Sequence, residues 1–374
     1  MGRTCAMSKY QITLKPVDKF FFGGDMTFKV EGQEGFNEQY SSYIIRSTMF
    51  PQQTSLLGML RFLLLRNGGK DVFANGQIHN QAMADALIGA KSFTVNEGQH
   101  DENAFGKIKS LSHVKVRREV GGQCVDLDFA PLFGEIDFTN ASTGSYNLGD
   151  FCTPDIPKER YNAKDGLKTL LTDGVNTYEL EYHPENEQEG VFVEDRRIGI
   201  DRDIKTGKTD DGALFKQVSY RFSDRSHYCF VFDVEVEDDI LLDSKEYNGQ
   251  MVSIGGDNSQ FIIGISDRII NNPGIKPLRN AVYLLSPTFL TRSEARKAKF
   301  AVTRLRSFRF LTSQNMIDAK SYHILSSKMQ RSPKYELYDA GSVFYFGNEE
   351  EKKAFIKCIE SKREFRQIGY NEYK

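Results

Sequence analysis

The sequence predicts an α+β fold in which strands outnumber helices. Stretches of alternating apolar and polar residues recur along the chain, and the clearest helical patterns each lie between such stretches. Helices that interrupt a run of strands in this way are typical of α+β proteins. At roughly 150 residues per domain, the 374 residues predict two or three domains.

The composition is that of a globular protein that works outside the membrane. Hydrophobic residues make up 39% and aromatic residues 12% of the chain. The longest apolar runs are far shorter than the ~20 residues that a membrane span needs. The first residues lack the apolar segment of a signal peptide, and the five cysteines lie far apart without a CxxC pair. We therefore expect a cytoplasmic protein without disulfides, a zinc–thiolate site or membrane contact.

The charge is unevenly distributed. Residues 1–190 contain 19 basic and 25 acidic side chains, whereas residues 191–374 contain 30 basic and 26 acidic ones. The stretch from Arg292 to Arg309 has seven basic residues and one acid, interleaved with phenylalanines. It is interpreted either as a solvated helix face followed by an amphipathic strand, or as a segment that contacts RNA phosphates and bases. The acidic chain as a whole argues against a free-standing, non-specific nucleic-acid binder, but it is compatible with a local basic groove.

The first predicted element is a strand from Tyr10 to Phe22, rich in Ile, Leu and Phe. Gly23, Gly24 and Asp25 then predict a turn. A polar, glycine-rich loop follows to about Ser47.

The clearest helix runs from Thr54 to Arg66. Its leucines recur at the spacing of one helix face, and Asn67-Gly68-Gly69 predicts its end. Thr54, Gly58 and Arg61 fall together on the opposite face. Because a glycine inside a helix costs about 1 kcal/mol relative to alanine, Gly58 indicates that either a neighbouring element or a ligand backbone approaches closely.

Residues 70–190 carry weaker patterns. A short helix is predicted around Gln81 to Ala90, and the stretch 121–189 is rich in Gly, Asn, Asp and Glu. We expect this stretch to be a loop-rich insertion with little core of its own.

From Val191 onwards the pattern is that of a β protein. Residues 191–222 predict a hairpin with a long charged tip, DRDIKTGKTDDG. A last helix begins with the capping-box residues Asn348 and Glu351. Further strands are predicted by the alternation at Tyr228 to Val236, Gln260 to Ile265, Ala281 to Leu285 and 335–346.

The motifs that would mark common enzymes are incomplete. The sequence TGKT at 206–209 resembles the end of a phosphate loop, but Arg202 stands where a glycine is needed. Two GGD turns, at 23–25 and 255–257, lack the neighbouring acid that two-metal chemistry needs. The six histidines form no HxxxH or HxH cluster, and there is no GxSxG elbow. We therefore expect no cofactor, no metal ion and no catalytic residue.

The second GGD turn has two interpretations. Gly255 and Gly256 form either an ordinary hairpin turn or a turn whose backbone N–H groups face a phosphate.

Six segments together resemble one protein family. They are PVDKFFF (16–22), RSTMFPQQTSLLGMLR (46–61), RIGIDRDIKTGKTDDGALF (197–215), IGGDNSQ (254–260), YLLSPTF (283–289) and AGSVFYF (340–346). The FPxxTLxGxLR-like helix and the AGSVxxF strand are the most specific of them. In the same order along the chain, these segments resemble the third RAMP subunit of the Cmr (type III-B) CRISPR effector complex.

The resemblance implies two ferredoxin-like (RRM-like) RAMP modules with a β-hairpin thumb and a loop-rich insertion. On this basis we expect an N-terminal module over residues 1–245, with the insertion at 70–190 and the hairpin at 191–222. A C-terminal RAMP-like module is expected over residues 246–374.

The same resemblance implies a non-catalytic subunit of an antiviral ribonucleoprotein. Such a subunit holds the repeat-derived 5′ tag of the crRNA. It also joins the large polymerase/cyclase-like subunit to the backbone RAMP subunit.

A single-stranded tag that is held without cleavage needs backbone donors, cations and stacking surfaces. The candidates lie on the first helix and the loop before it, on the hairpin, and on two later turns. They are Arg46, Gln52, Gln53, Thr54, Gly58, Arg61, Arg196, Arg197, Arg202, Lys205, Lys208, Gly255, Gly256 and Ser286.

Two other functions stay open at this point. A RAMP endoribonuclease that processes precursor crRNA would need a histidine or a Tyr/Lys acid–base set near the first helix, and no histidine precedes His79. A subunit that completes a nucleotide pocket at its interface with the large subunit would bring Arg or Lys to the phosphates.

Overall fold

The computed structural model of the protein has the predicted mixed, strand-rich fold with few helices. The described helices are α1 Gln53–Asn67, α2 Gln81–Ile88, α3 Arg292–Ala295, α4 Glu349–Glu360 and α5 Arg363–Arg366. The structure describes residues 7–24, 26–29, 43–90, 92–95, 105–134, 161–162, 166–182, 190–202, 205–224, 227–240, 242, 245–257, 259–267, 269–270, 276–317 and 324–374. Within these ranges, no helix combines the length and the apolar character needed to cross a bilayer.

The strands are numbered in chain order. They are β1 Met7–Pro16, β2 Met26–Lys29, β3 Tyr43–Arg46, β4 Phe73–Ala74, β5 Gln77–Ile78, β6 Ile108–Leu111, β7 Lys115–Val120, β8 Gln123–Phe129, β9 Tyr161–Asn162, β10 Gly166–Leu167, β11 Leu170–Thr172, β12 Thr177–Glu181, β13 Gly190–Arg202, β14 Thr209–Phe222, β15 Tyr228–Glu237, β16 Met251–Ser253, β17 Gln260–Ser266, β18 Ala281–Tyr283, β19 Phe300–Val302, β20 Leu305–Phe308, β21 Leu311–Ile317, β22 Ile324–Arg331, β23 Tyr335–Tyr338 and β24 Val343–Tyr345.

More than half of these strands join one large mixed sheet. Its order is β16-β17-β1-β15-β7-β8-β11-β12-β13-β14-β3-β2, and β6 also pairs with β15. The pairs β12/β13 and β14/β3 are parallel. Because β17 pairs with β1, from Gln11 opposite Ser266 to Pro16 opposite Phe261, the ladder continues past the predicted module boundary at 245/246. The two ferredoxin-like modules and their boundary therefore stay a prediction.

The main core lies between this sheet and α1. The predicted apolar face of α1 is confirmed, because its five leucines at 56, 57, 60, 63 and 64 are at most 2% exposed. Each buried leucine contributes about 1.5–3 kcal/mol. Phe192, Phe222 and Phe230 pack in the same cluster. The helix ends at Gly68, whose N–H donates to the Leu65 carbonyl, as the glycine pair predicts.

The first predicted strand is shorter than expected. β1 ends at Pro16, and the chain then crosses to a different part of the sheet. There Phe20 exchanges backbone hydrogen bonds of 2.8 and 3.0 Å with Tyr220, and Phe21 bridges to Gly256. The polar loop expected before Ser47 contains β2 and β3, and residues 30–42 within it lie outside the described part of the chain.

The expectation that residues 121–189 have little core is wrong for the residues described. β8, β11 and β12 belong to the large sheet, and Leu127 and Leu171 are fully buried in the main core. These strands are short and include Gln, Asp, Glu and Thr residues, so their composition resembles that of loops. The rest of this stretch, residues 135–160, 163–165 and 183–189, lies outside the part of the chain that the structure describes.

The C-terminal part has a small sheet of its own. β18, β24 and β19 pair in that order, and Phe355 and Ile359 of α4 pack on one face of the sheet. Asn348 caps α4 by accepting the Glu351 N–H at 2.9 Å. The Glu351 carboxylate accepts the N–H of Gly347 at 3.0 Å, one residue before the position that a capping box predicts.

Candidate nucleic-acid interface

A narrow cleft lies where C-terminal segments pack against the first turn of α1. Three of the predicted residues, Gln52, Gln53 and Ser286, line it. Gln52 has the extended backbone of a helix N-cap, so the chain turns into α1 at the rim of the cleft. The other lining residues are Thr48, Phe50, Pro51, His113, Val114, Phe129, Leu285, Pro287, Arg306, Ser307, Phe308, Leu337, Asp339, Gly369 and Tyr370.

Gln53 presents a hydrogen-bond acceptor that the described protein groups do not satisfy. Its side chain is buried, and Nε2 donates to the Ser112 carbonyl at 2.8 Å. Oε1 is buried without a hydrogen-bond partner among the described residues. A buried polar atom left unpaired costs about 1–3 kcal/mol. Gly369 makes this packing possible, because a Cβ there would lie 2.1 Å from Gln53 Nε2.

Arg306 brings a cation to the cleft from the basic stretch 292–309. Its guanidinium lies 3.1 Å from the Asp339 carboxylate, and 30% of the side chain is exposed. Other members of the stretch are engaged elsewhere: Arg304 donates to the Leu167 carbonyl at 2.7 Å, and Lys297 donates to Cys358 Sγ at 3.0 Å. Arg306 is therefore the one basic residue of this stretch that lines the cleft, and the choice between the two interpretations of the stretch stays a prediction.

His113 is a cleft residue that the sequence did not reveal. Its Nε2 lies 3.1 Å from both carboxylate oxygens of Asp128, and Lys115 lies 3.7 Å from the same carboxylate. Burial alone would raise the pKa of Asp128, but the charge and hydrogen bond of His113, together with Lys115, lower it. No local motif marks this pair, because only the pairing of β7 with β8 brings the two residues together.

Ser286 supports the cleft wall and is not an open donor at its surface. The residue is 2% exposed, and its hydroxyl accepts the N–H of Glu372 at 2.9 Å. The hydroxyl of Ser286 thus holds the C-terminal residues against the cleft, and its RNA contact stays a prediction.

On the opposite face of α1, Arg61 is bonded to the end of α2, whereas Gly58 is exposed. Arg61 donates from Nη2 to the Gly89 carbonyl at the end of α2, at 2.7 Å, and burial lowers its pKa. Gly58 is exposed, and no described atom lies within 4 Å of a Cβ built there. A packed neighbour at Gly58, one of its two expected explanations, is therefore absent from the described structure. Thr54 is half-buried in the first turn of α1.

The predicted hairpin is confirmed. β13 and β14 pair antiparallel from Phe192 opposite Phe222 to Ile200 opposite Leu214. The predicted cations of this arm differ in exposure and pairing. Arg196 and Arg197 are 61% and 65% exposed, with carboxylates of Glu194 and Asp195 at 2.6 and 3.7 Å. Lys205 and Lys208 are exposed at the tip, and the side chain of Arg202 is outside the description.

Arg46 belongs to an acidic cluster at the base of this arm. Its guanidinium lies 2.7 Å from the Glu194 carboxylate and 3.5 Å from that of Glu181, and it donates to the Tyr220 hydroxyl at 3.3 Å. Two carboxylates thus offset its charge, which weakens its attraction for a phosphate.

The double glycine at 255–256 is a site of close backbone packing. Gly255 has φ +85°, and a Cβ there would lie 2.4 Å from the Phe21 carbonyl oxygen. The Gly256 N–H donates to that same oxygen at 2.7 Å. The interpretation that the Gly256 N–H faces a phosphate is therefore wrong, because this N–H already donates to the Phe21 carbonyl.

Among the described side chains, no three or more His, Cys, Asp or Glu residues are arranged to hold a metal ion.

Comparisons with known proteins assign the chain to a family. The family described as CRISPR-associated protein (Cas_Cmr3) matches residues 12–131 and 155–373, and these ranges include every described residue that lines the cleft. Among curated proteins no sequence matches.

Two solved structures of low sequence identity are similar to the chain. A chain of type III-B Cmr-beta bound to cognate target RNA and AMPPnP, state 1, is 13% identical, with a TM-score of 0.48 over 97% of this chain and 95% of that one. A chain of Cmr-beta bound to cognate target RNA is 13% identical, with a TM-score of 0.46 over 98% and 96%. The family match covers most of the chain and agrees with the motifs of the sequence, so the chain belongs to the Cas_Cmr3 family of CRISPR-associated proteins.

Proposed function

We propose that this chain is a non-catalytic subunit of a type III-B CRISPR effector complex and holds the 5′ tag of the crRNA. In this proposal it also joins the large polymerase/cyclase-like subunit to the backbone RAMP subunit. Family membership supports the assembly, and the cleft at the start of α1 supports the RNA contact.

The unpaired amide oxygen of Gln53 is the observation that carries the proposal. A nucleobase offers N–H donors on its pairing edge and a flat apolar ring. The cleft offers the matching groups: a buried acceptor at Gln53, apolar walls that include Phe50 and Phe308, and Arg306 beside them. The cleft has a volume of about 50 Å³, less than a nucleobase occupies. In this proposal it therefore widens when a base of the tag turns out of the strand, enters and satisfies Gln53.

The hairpin supplies a second, electrostatic contact in this proposal. Arg196 and Arg197 are more than half exposed, and Lys205 and Lys208 extend the same arm. Phosphates of a single strand are attracted to such cations without regard to sequence. The cleft would therefore select the tag, and the arm would add affinity.

A binding experiment with the assembled complex tests the tag contact. Gln53→Met keeps the side-chain volume but removes both the acceptor and the Nε2 hydrogen bond to the Ser112 carbonyl, so binding is compared per folded complex. We expect it to weaken binding of crRNA with the native tag about tenfold and to leave binding of crRNA with a scrambled tag unchanged. Gln77→Met makes the same exchange at an exposed position of β5 that does not line the cleft, and serves as the matched control. If wild-type complex binds native and scrambled tags equally well, the proposal is wrong.

The pair of His113 and Asp128 favours one second candidate, a RAMP endoribonuclease that processes precursor crRNA. An imidazole oriented by a carboxylate is a common general base, and His113 lines the cleft close to α1. Incubation of the isolated chain with precursor crRNA separates the two functions. Cleavage that His113→Asn abolishes would establish the nuclease, whereas an intact precursor supports simple binding.

A further inference from the structure

A second surface runs along α1 from Gly58 to Arg66, beside one edge of the large sheet. β16 is the terminal strand of the sheet order, and it pairs with β17 from Met251 opposite Ile262 to Ser253 opposite Gln260. No further strand of the described chain pairs with its other edge. Such an edge presents backbone N–H and C=O groups that an added strand can use.

A groove separates this edge from α1. Its helix side includes Gly58, Phe62 and Arg66, and its other side is formed by β16. The three helix residues are spaced by four, so they lie in a row along one helix face. Gly58 leaves the groove open, since no described atom lies within 4 Å of a Cβ at this position. Phe62 and Met251, large apolar residues, are 51% and 55% exposed on either side.

The charge of the groove indicates what its occupant carries. α1 contains no acidic residue. Of its two internal arginines, Arg61 donates to the Gly89 carbonyl, whereas Arg66 forms no salt bridge with a described residue and is exposed. The groove therefore has apolar walls and an available cation at one end, which complements an apolar side chain followed by a carboxylate.

We propose that this groove binds an extended segment of a neighbouring protein subunit. The segment adds as a strand to β16, places an apolar side chain beside Phe62 and over Gly58, and brings an acidic group to Arg66. An open strand edge next to a helix favours a polypeptide over RNA, because the edge offers the alternating donors and acceptors of a β-ladder. The inference rests on the proposed assembly into an effector complex, which supplies the neighbour.

Substitutions at Gly58 test the groove directly. Gly58→Leu fills the groove with a side chain that the open space accommodates, and Gly58→Ala is the matched control. We expect Gly58→Leu to weaken association with the other subunits about tenfold and Gly58→Ala to change it little. Arg66→Glu should weaken it too, since the acidic group of the partner is then repelled.

Hydrogen exchange gives a readout that does not depend on a variant. The amides of Met251–Ser253 should exchange more slowly in the assembled complex than in the free chain. Unchanged exchange together with normal assembly of Gly58→Leu would overturn the proposal. So would a loss of crRNA affinity by the isolated Gly58→Leu chain with normal subunit association, because the groove would then bind RNA. Neither readout depends on the tag sequence, so failure here is distinguishable from failure of tag binding.

Discussion

At the scale of single residues, Gly58 and Gly255 differ in what a methyl group would meet. No described atom lies within 4 Å of a Cβ at Gly58, whereas a Cβ at Gly255 lies 2.4 Å from the Phe21 carbonyl oxygen at φ +85°. We expect Gly58→Ala to raise the free energy of unfolding by up to about 1 kcal/mol, because alanine favours the helix. Gly255→Ala should lower it by about 1–3 kcal/mol or more, through backbone strain and the clash. Urea unfolding of the two variants checks this prediction, and a change of the same sign in both would contradict it.

Arg61, a predicted RNA-binding residue, stabilises the fold by joining α1 to the end of α2. Its Nη2 donates to the Gly89 carbonyl at 2.7 Å, so Arg61→Met should destabilise the chain by about 1–2 kcal/mol. The affinity of the folded variant for crRNA should equal that of wild type. Denaturant unfolding and a crRNA titration provide the two measurements. Weaker binding at unchanged stability would place Arg61 on the RNA instead.

The Asp128 carboxylate should make the free energy of unfolding depend on pH. Its pKa in the folded chain is lowered, since His113 and Lys115 outweigh the effect of burial. Because the pKa is lowered, the ionised carboxylate stabilises the folded chain. This stabilisation is complete above the unfolded pKa of about 3.9 and is lost as the pH falls through the lower pKa of the folded chain. Asp128→Asn should therefore differ most from wild type near pH 7, and the difference should shrink below about pH 4. Urea midpoints across this range measure it, and a difference that grows in acid would refute the assignment.

At the scale of elements, the hairpin β13–β14 is anchored by its base and exposed along its arm. Phe192 and Phe222 are fully buried in the core, so charge changes farther out should leave the fold intact. The double variant Arg196→Glu/Arg197→Glu should weaken crRNA binding and reduce the slope of log K against log salt by about 0.7 for each phosphate that the arm no longer neutralises. Lys353→Glu/Lys357→Glu on α4 makes the same charge change on a different surface. Equal effects of the two double variants would show that only net charge matters.

Elements with a strong local period could be predicted from the sequence, and elements that depend on distant pairing could not. The leucine spacing of α1 and the apolar–polar alternation of β15 were each sufficient to predict the element. β3 was missed because its four residues pair with β14, far along the chain. β11 and β12 were hidden in a turn-rich stretch, and their burial depends on their position beside β8 and β13.

At the scale of the whole molecule, the cleft is assembled from segments that are far apart in the sequence. The start of α1 contributes Gln53, β7 begins just after His113, β20 supplies Arg306, and the C-terminal turn supplies Gly369. The sequence identified Gln53 through a family-like segment. It could not identify His113 or Arg306 as its neighbours. His113 comes close because the segment before β7 packs on the start of α1, where Gln53 donates to the Ser112 carbonyl. Arg306 comes close only after the C-terminal part packs on the first sheet.

The proposed function requires this chain to hold the crRNA tag in the cleft at the start of α1. Photo-crosslinking in the assembled complex, with a photoreactive nucleotide at each tag position in turn, measures whether it does. We expect at least one tag position to crosslink to residues 48–53 or 285–287 of this chain. Crosslinks of every tag position to other subunits alone would refute the tag-binding role.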